Sequence, residues 1–245
     1  MKSIELGKLA ELNYEMKEAL RAIRTNLTFC GDDVRVIQVT SSMPNEGKST
    51  MTMEIARALA ESGRKVVVID TDMRKSVLVG RHKIRSKEGE MKGLSHYLSG
   101  NAMLKDVLFS TNVPGMFMIL SGKDVPNSTE LLENPYFDDL IRFCRKTFDY
   151  VLLDCAPINL VIDSAVIAKK SDGLVLVIAQ GTVPVRAIRN GVKQLQNSGV
   201  RILGVVLNKF EKQRHSLYSK YYGKYDSGYY GSYYGTYYGN EDGNN

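Results

Sequence analysis

Long apolar runs are missing from this sequence. The runs VVVI at 66–69 and LVLVIA at 174–179 fall far below the roughly 18 to 20 residues of a membrane-spanning helix. The N-terminal stretch has no apolar h-region of the kind a secretory signal needs. Cysteine is scarce as well: Cys30, Cys144 and Cys155 are odd in number, far apart, and make neither a CxxC pair nor a metal-ligand spacing with the three histidines. A disulfide-stapled secreted domain is thereby disfavoured, and the expectation is a protein of a reducing, cytosolic compartment. Aliphatic residues run out before the chain does. From Lys212 onward only Leu217 remains, so the last stretch has too little to bury to offset chain entropy.

What is present suits one α/β domain followed by a tail. The 245 residues, 43% hydrophobic and 24% charged, are ordinary for a globular chain. The net charge of +6 lies wholly in residues 1–210, because four basic and four acidic residues cancel from Glu211 on. A mild excess of this kind favours phosphates, nucleic acid or an anionic membrane face, and decides among none of them. Residues 5–29 read as a helix, with Leu9, Leu12, Met16, Leu20, Ile23 and Leu27 at three- and four-residue spacing. Six short runs rich in Val, Ile and Leu follow, at 34–40, 65–70, 116–120, 150–154, 173–179 and 202–208, with helical stretches such as 135–147 and 184–198 between most of them. Strands that are continuously apolar and separated by helices predict a parallel sheet with helices on both faces, a three-layer α/β fold whose ligand sits at the strands' carboxyl ends. The stretch 74–110 gives no clear pattern. The expected organisation is a helical segment over 1–30, a domain over 31–211 and a tyrosine-rich tail over 212–245.

The ligand is suggested by SSMPNEGKST at 41–50, which follows a predicted strand and opens a predicted helix. Gly47 lets the backbone approach a phosphate, Lys48 brings a point charge to the β/γ oxygens, and Ser49 offers a hydroxyl to Mg²⁺. Ser42 stands where the general G-x-x-x-x-G-K-[ST] pattern has its first glycine. Simple helix capping by Ser and Thr is the plainer alternative. Against it stand three aspartates at strand ends: Asp70 and Asp72 in VVVIDTDMR, on one face if the strand continues, and Asp154 in YVLLDCAP. Each alone reads as a turn or cap residue. Together, beside a cradle for a polyanion, they call for a divalent cation between carboxylates and phosphates.

In this combination the sequence resembles the bacterial tyrosine kinases of capsule and exopolysaccharide synthesis, in particular their stand-alone cytoplasmic subunits. The resemblance covers nearly the whole chain and rests on SSMPNEGKST, VVVIDTDMR, YVLLDCAP, PNSTELL at 126–132 and a terminal tyrosine cluster. It implies the fold of the deviant P-loop ATPases, shared with partition and septum-placing ATPases and unrelated to eukaryotic protein kinases. In keeping with that, no G-x-G-x-x-G loop, H-R-D or D-F-G is found. By the resemblance Glu46, Gly47, Lys48, Ser49 and Thr50 hold ATP and Asn208 contacts the adenine. Ser49, Asp72 and Asp154 arrange Mg²⁺, Asp70 stands near the attacking hydroxyl as the candidate acceptor of its proton, and Lys48, Asp70, Asp72 and Asp154 form the catalytic set. Asn45 replaces a usual glycine, a position asparagine tolerates. Met43 stands where partition ATPases carry a signature lysine, which favours a kinase over a partition-type switch.

Two further features take their meaning from the resemblance. Glu18, Arg21 and Arg24, at i, i+3 and i+6, lie along one helix face and read by themselves as a solvated surface with weak ion pairs. The family uses E-x-x-R-x-x-R to join subunits into a ring, so these residues are expected at an intersubunit contact. Tyr218, Tyr221, Tyr222, Tyr225, Tyr229, Tyr230, Tyr233, Tyr234, Tyr237 and Tyr238 put ten phenols into 22 residues. Alone they suit a sticky aromatic segment that stacks on glycan or nucleic acid; beside an ATP site they are expected autophosphorylation sites. The implied partners are other copies of the chain, a transmembrane activator of the polysaccharide co-polymerase type that would bring the protein to the inner membrane face, a tyrosine phosphatase and further protein substrates. No nucleic acid is expected. A partition-type ATPase and a non-enzymatic adaptor are the alternatives.

Overall fold

Branched aliphatic runs without polar alternation have nowhere to go but the inside of a sheet covered on both sides. In the computed structural model, which describes residues 1–86 and 88–210, they do so. The chain begins with β1 (Ile4–Leu6), α1 (Tyr14–Phe29), β2 (Val36–Ser41), α2 (Lys48–Glu61) and β3 (Val66–Asp70). A run of short elements follows: α3 (Leu78–Arg81), β4 (Ile84–Ser86), α4 (Leu94–Leu98), α5 (Leu104–Val107), β5 (Leu108–Ser110), β6 (Met116–Ile119) and α6 (Ser128–Glu133). Then come α7 (Pro135–Thr147), β7 (Tyr150–Asp154), α8 (Asp163–Ala168), β8 (Gly173–Ala179), α9 (Val185–Asn197) and β9 (Ile202–Asn208). Residues 1–209 form one compact unit, and the tail tyrosines lie outside the described residues.

The seven-stranded sheet has the order β5-β6-β3-β7-β2-β8-β9, and all neighbours are parallel except β5 against β6. Side chains alternate across it. Ile37, Val39, Val66 and Val68 pack under α1 and α2, while Val36, Val67 and Ile69 face Phe137, Leu140 and Cys144 of α7 on the opposite side. The expected three-layer arrangement is therefore present, with all six expected strands in one sheet.

Two departures have clear causes. The helix expected over 5–29 begins only at Tyr14, because the Asn13 side chain accepts from the Met16 N–H at 2.8 Å and caps it there. Upstream, Ile4 and Leu6 alternate with exposed Glu5 and pair as β1 with β4 in an antiparallel ribbon. Leu9 and Leu12 still pack against the core, so their spacing reflects burial without a helix. The second departure is β5, an antiparallel edge strand of three residues inside the stretch that gave no pattern.

Candidate active site

The carboxyl ends of β2, β3 and β7 are adjacent in the sheet, and this brings the three aspartates to the loop after β2. Asp70 and Asp154 are direct register partners on β3 and β7. The loop turns on Asn45 (φ 65°) and Gly47 (φ 95°), both in the left-handed region. A Cβ at Gly47 would meet the Asn208 Nδ2 at 2.1 Å, so the glycine is required both for its conformation and for its closeness to β9. The first hydrogen bond of α2 runs from the Met51 N–H to the Gly47 carbonyl at 2.9 Å, which leaves the preceding N–H groups without helical partners and disposed toward an anion.

Lys48 stands between the carboxylates. Its Nζ lies 3.2 Å from Asp72 Oδ2, 3.7 Å from Asp154 Oδ1 and 3.3 Å from Ser49 Oγ. Burial works to lower its pKa, but Asp154 and Asp72 outweigh that and hold it above the ordinary lysine value. Burial, set against the pull of Lys48, pushes the Asp154 carboxyl upward. Burial and then the charge of Asp154 push Asp70 up to about 7. Thr52 ties the helix to this cluster, its hydroxyl donating to the Lys48 carbonyl at 2.9 Å and to Asp154 Oδ1 at 3.4 Å.

Not every expected ligand residue points at the cavity. Lys48, Ser49 and Asp72 line a space of about 270 Å³ together with Gly47, Arg74 and Arg81. Asp70 is fully buried, and its two oxygens accept from the Asp72 N–H at 3.2 Å and from the Ser76 hydroxyl. Glu46, also buried, accepts from Ser42 Oγ at 2.8 Å, Met43 N at 2.6 Å and Ala179 N at 3.3 Å, which fastens the loop to β8. Asn208 donates to the Glu46 carbonyl at 2.9 Å. Thr50 Oγ1 accepts from Arg81 Nη1 at 2.9 Å. On α1, Glu18 pairs with Arg21 at the surface, and Arg21 and Arg24 border a separate cavity shared with Glu54 and Arg57 of α2.

A second buried constellation was not legible in the sequence. Asp163, at the start of α8, accepts from Arg74 Nε at 3.0 Å and Nη2 at 3.3 Å, and from the hydroxyls of Ser128 and Thr129 at 2.6 Å each. Arg74 also donates to the Pro126 carbonyl at 3.1 Å. This explains why PNSTELL accompanies the acidic motif: its two hydroxyls clamp the carboxylate that holds Arg74, two residues beyond Asp72.

The residues fit a magnesium nucleotide. Two carboxylates and the Ser49 hydroxyl converge at the lysine, and among the described residues no group of three or more His, Cys, Asp or Glu is arranged to hold an ion alone. That suits Mg²⁺, which is commonly held by one or two carboxylates plus phosphate oxygens. A family model described as an AAA domain matches residues 34–206. The chain is 41% identical to tyrosine-protein kinase CpsD of Streptococcus pneumoniae over 90% of its own length and 97% of that protein's. It is 42% identical to the CpsD kinase of Streptococcus agalactiae over 79% of this chain and 83% of the relative. The chain belongs to the bacterial tyrosine kinases. Among solved structures, the kinase domain of Escherichia coli tyrosine kinase ETK superposes with a TM-score of 0.74 at 28% identity, covering 81% of this chain and 77% of that one. Beyond the motifs legible in sequence, this member of the family carries Arg81, Ser76, Thr52 and Asp163 at or beside the site.

Proposed function

We propose that the chain is an ATP-dependent protein-tyrosine kinase that phosphorylates its own C-terminal tyrosine cluster in trans, within a ring of like subunits, and thereby regulates capsular or exopolysaccharide synthesis and export. The carrying observation is Lys48 at the start of α2, bracketed by Asp72 and Asp154 at the mouth of a cavity behind a left-handed glycine turn. In this reading Gly47, Lys48, Ser49 and Thr50 cradle the phosphates, and Ser49, Asp72 and Asp154 order Mg²⁺, which supplies charge neutralisation on the transferring group. Glu46 and Asn208 hold the loop's shape, with Asn208 at the adenine side. Asp70 takes the phenolic proton once the Ser76 hydroxyl turns away from it. Phosphoryl transfer depends mainly on positioning and charge, so this proton acceptor contributes less than the lysine and the metal ligands.

The ring reading is supported by α1, of which only Leu20 and Leu27 are buried in the unit, whereas Tyr14 and Phe29 are 76% and 81% exposed. A random coil of about 30 residues would span about 30 Å r.m.s., enough, in this reading, to present tyrosines to a neighbouring subunit. Each phosphate adds about −1.5 to −2 charge, so ten would add on the order of −15 to −20 and loosen tails held together. A separate transmembrane activator recruiting the protein to the membrane, a tyrosine phosphatase and other protein substrates complete the proposal. No helix among the described residues is long and apolar enough to cross a membrane, which accords with such a partner.

The test is incubation of the full chain with Mg-ATP, with and without the activator's cytoplasmic segment, measuring ADP release and phosphotyrosine, with Lys48→Met as control. The reading predicts both signals and their loss in the variant by 100-fold or so. ADP without phosphotyrosine under either condition would favour the partition-type switch.

A further inference from the structure

The phosphate cavity is lined by four cations, Lys48, Arg74, Lys75 and Arg81, against the single acid Asp72. Two of the four are committed to carboxylates, Lys48 to Asp72 and Asp154 and Arg74 to Asp163. Arg81 is not. Among the described residues its guanidinium makes one hydrogen bond, to a neutral hydroxyl, Thr50 Oγ1, at 2.9 Å, and no carboxylate lies within ion-pair distance of it.

The placement is built by the residues on either side. Leu78 is fully buried and His82 is 4% exposed, so the short helix α3 is pinned at both ends. The Arg81 N–H closes a turn on the Val77 carbonyl at 2.9 Å, and the His82 ring meets the Lys8 carbonyl at 3.1 Å through Nδ1. With its neighbours anchored inward, Arg81 projects outward over the first turn of α2. A guanidinium has five donors in a planar fork that matches phosphate oxygens, and here only one is used. Thr50 is one residue beyond Ser49, and no carboxylate among the described residues bonds its hydroxyl, whereas Lys48 and Ser49 turn toward Asp154 and Asp72. The lysine and metal side suits the terminal phosphates; the Thr50 side suits those that stay on the nucleotide.

We propose that Arg81 is a nucleotide-binding residue of this chain, which exchanges the Thr50 hydroxyl for a non-transferred phosphate and therefore grips ADP as firmly as ATP. The inference rests on the nucleotide reading above and adds to it a residue outside the three acidic and glycine-rich motifs. Arg81 is exposed, so its replacement does not disturb the core.

The experiment is equilibrium titration of the full chain with Mg-ADP and with Mg-ATP by calorimetry, comparing wild type, Arg81→Ala and Arg81→Lys. Loss of a charge-assisted bond predicts that Arg81→Ala weakens both nucleotides by about tenfold or more and by the same factor, with Arg81→Lys between the two. Binding of Mg-ADP by Arg81→Ala within twofold of wild type would overturn the proposal. So would a loss confined to Mg-ATP, which would put the guanidinium at the transferred phosphate. A wild-type chain that binds neither nucleotide would instead bring down the nucleotide reading itself, a failure visible before any variant is compared.

Discussion

Replacing Asp163 tests the buried clamp beside the site. Its carboxylate, 2% exposed, receives two bonds from Arg74 and one each from Ser128 and Thr129. Removing one partner of a fully buried ion pair costs about 3–5 kcal/mol. Arg74 is 35% exposed and regains water when freed, which reduces that figure. Ser128 is fully buried and does not. We therefore expect Asp163→Ala to lower the unfolding free energy by about 2–4 kcal/mol and Asp163→Asn by roughly half as much. Urea denaturation at pH 7 would show a lower midpoint with an unchanged slope. The pH dependence gives a second reading. Burial pushes the Asp163 carboxyl up, but the bonds from Arg74, Ser128 and Thr129 prevail and hold it below the usual carboxylate range. A depressed folded value means that the stabilisation is complete above about pH 4, near the unfolded value, and fades as pH falls through the folded one. The gap between wild type and Asp163→Asn should accordingly narrow from pH 7 to pH 3. A gap under about 0.5 kcal/mol at pH 7, within the range of ordinary surface substitutions, would refute the clamp. A gap that stays flat into acid would refute its ionic character.

Glu46→Gln should destabilise the nucleotide-free protein by about 1–3 kcal/mol, because Met43 N–H and Ala179 N–H bond to different carboxylate oxygens and the amide keeps one acceptor, so one of these N–H groups is left facing an NH₂; a variant with normal thermal stability and weakened nucleotide binding alone would mean that Glu46 is a ligand contact. Gly47→Ala, with a Cβ 2.1 Å from Asn208 Nδ2 and φ 95°, should cost about 1–3 kcal/mol and most of the nucleotide affinity, read by calorimetry. Of the three thiols, Cys144 and Cys155 are fully buried, and burial pushes Cys144 up to about 12 and Cys155 higher still. A thiol reagent should therefore titrate one cysteine, Cys30, in the native protein and three in urea; three fast thiols without denaturant would contradict the packing.

The sheet was legible because its strands are continuous aliphatic runs, whose period of one admits only burial on both faces. Strand ends carry the acids, and parallel topology puts those ends side by side, so the sequence alone implies that the P-loop and the three aspartates lie together. Short elements were not legible: β5 and β4 are three residues each, too brief for a pattern to rise above composition. The start of α1 was misread because Leu9 and Leu12 are buried outside a helix, and periodicity reports burial before it reports conformation. The bond between Arg74 and Asp163 spans 89 residues, and no spacing rule reaches that far. Glu46 and Asn208 are expected from the sequence to contact the nucleotide, whereas the structure shows them bonded to the loop's own N–H and carbonyl groups, contacts that no spacing in the sequence indicates.

If the site takes a magnesium nucleotide as proposed, the arrangement of charge sets how binding proceeds. Lys48 answers Asp72 and Asp154, and Arg74 answers Asp163. To reach a phosphate it must leave two carboxylates buried behind it, a step that on its own costs several kcal/mol. In the proposed reading Asp72, Asp154 and the Ser49 hydroxyl would hold a divalent cation, whose charge would offset that cost for the two carboxylates the lysine leaves. The two events are thus halves of one exchange of partners. Nucleotide and Mg²⁺ should then bind with strong mutual dependence, whereas the contribution proposed for Arg81, which has no carboxylate partner among the described residues, should be the same with and without the metal.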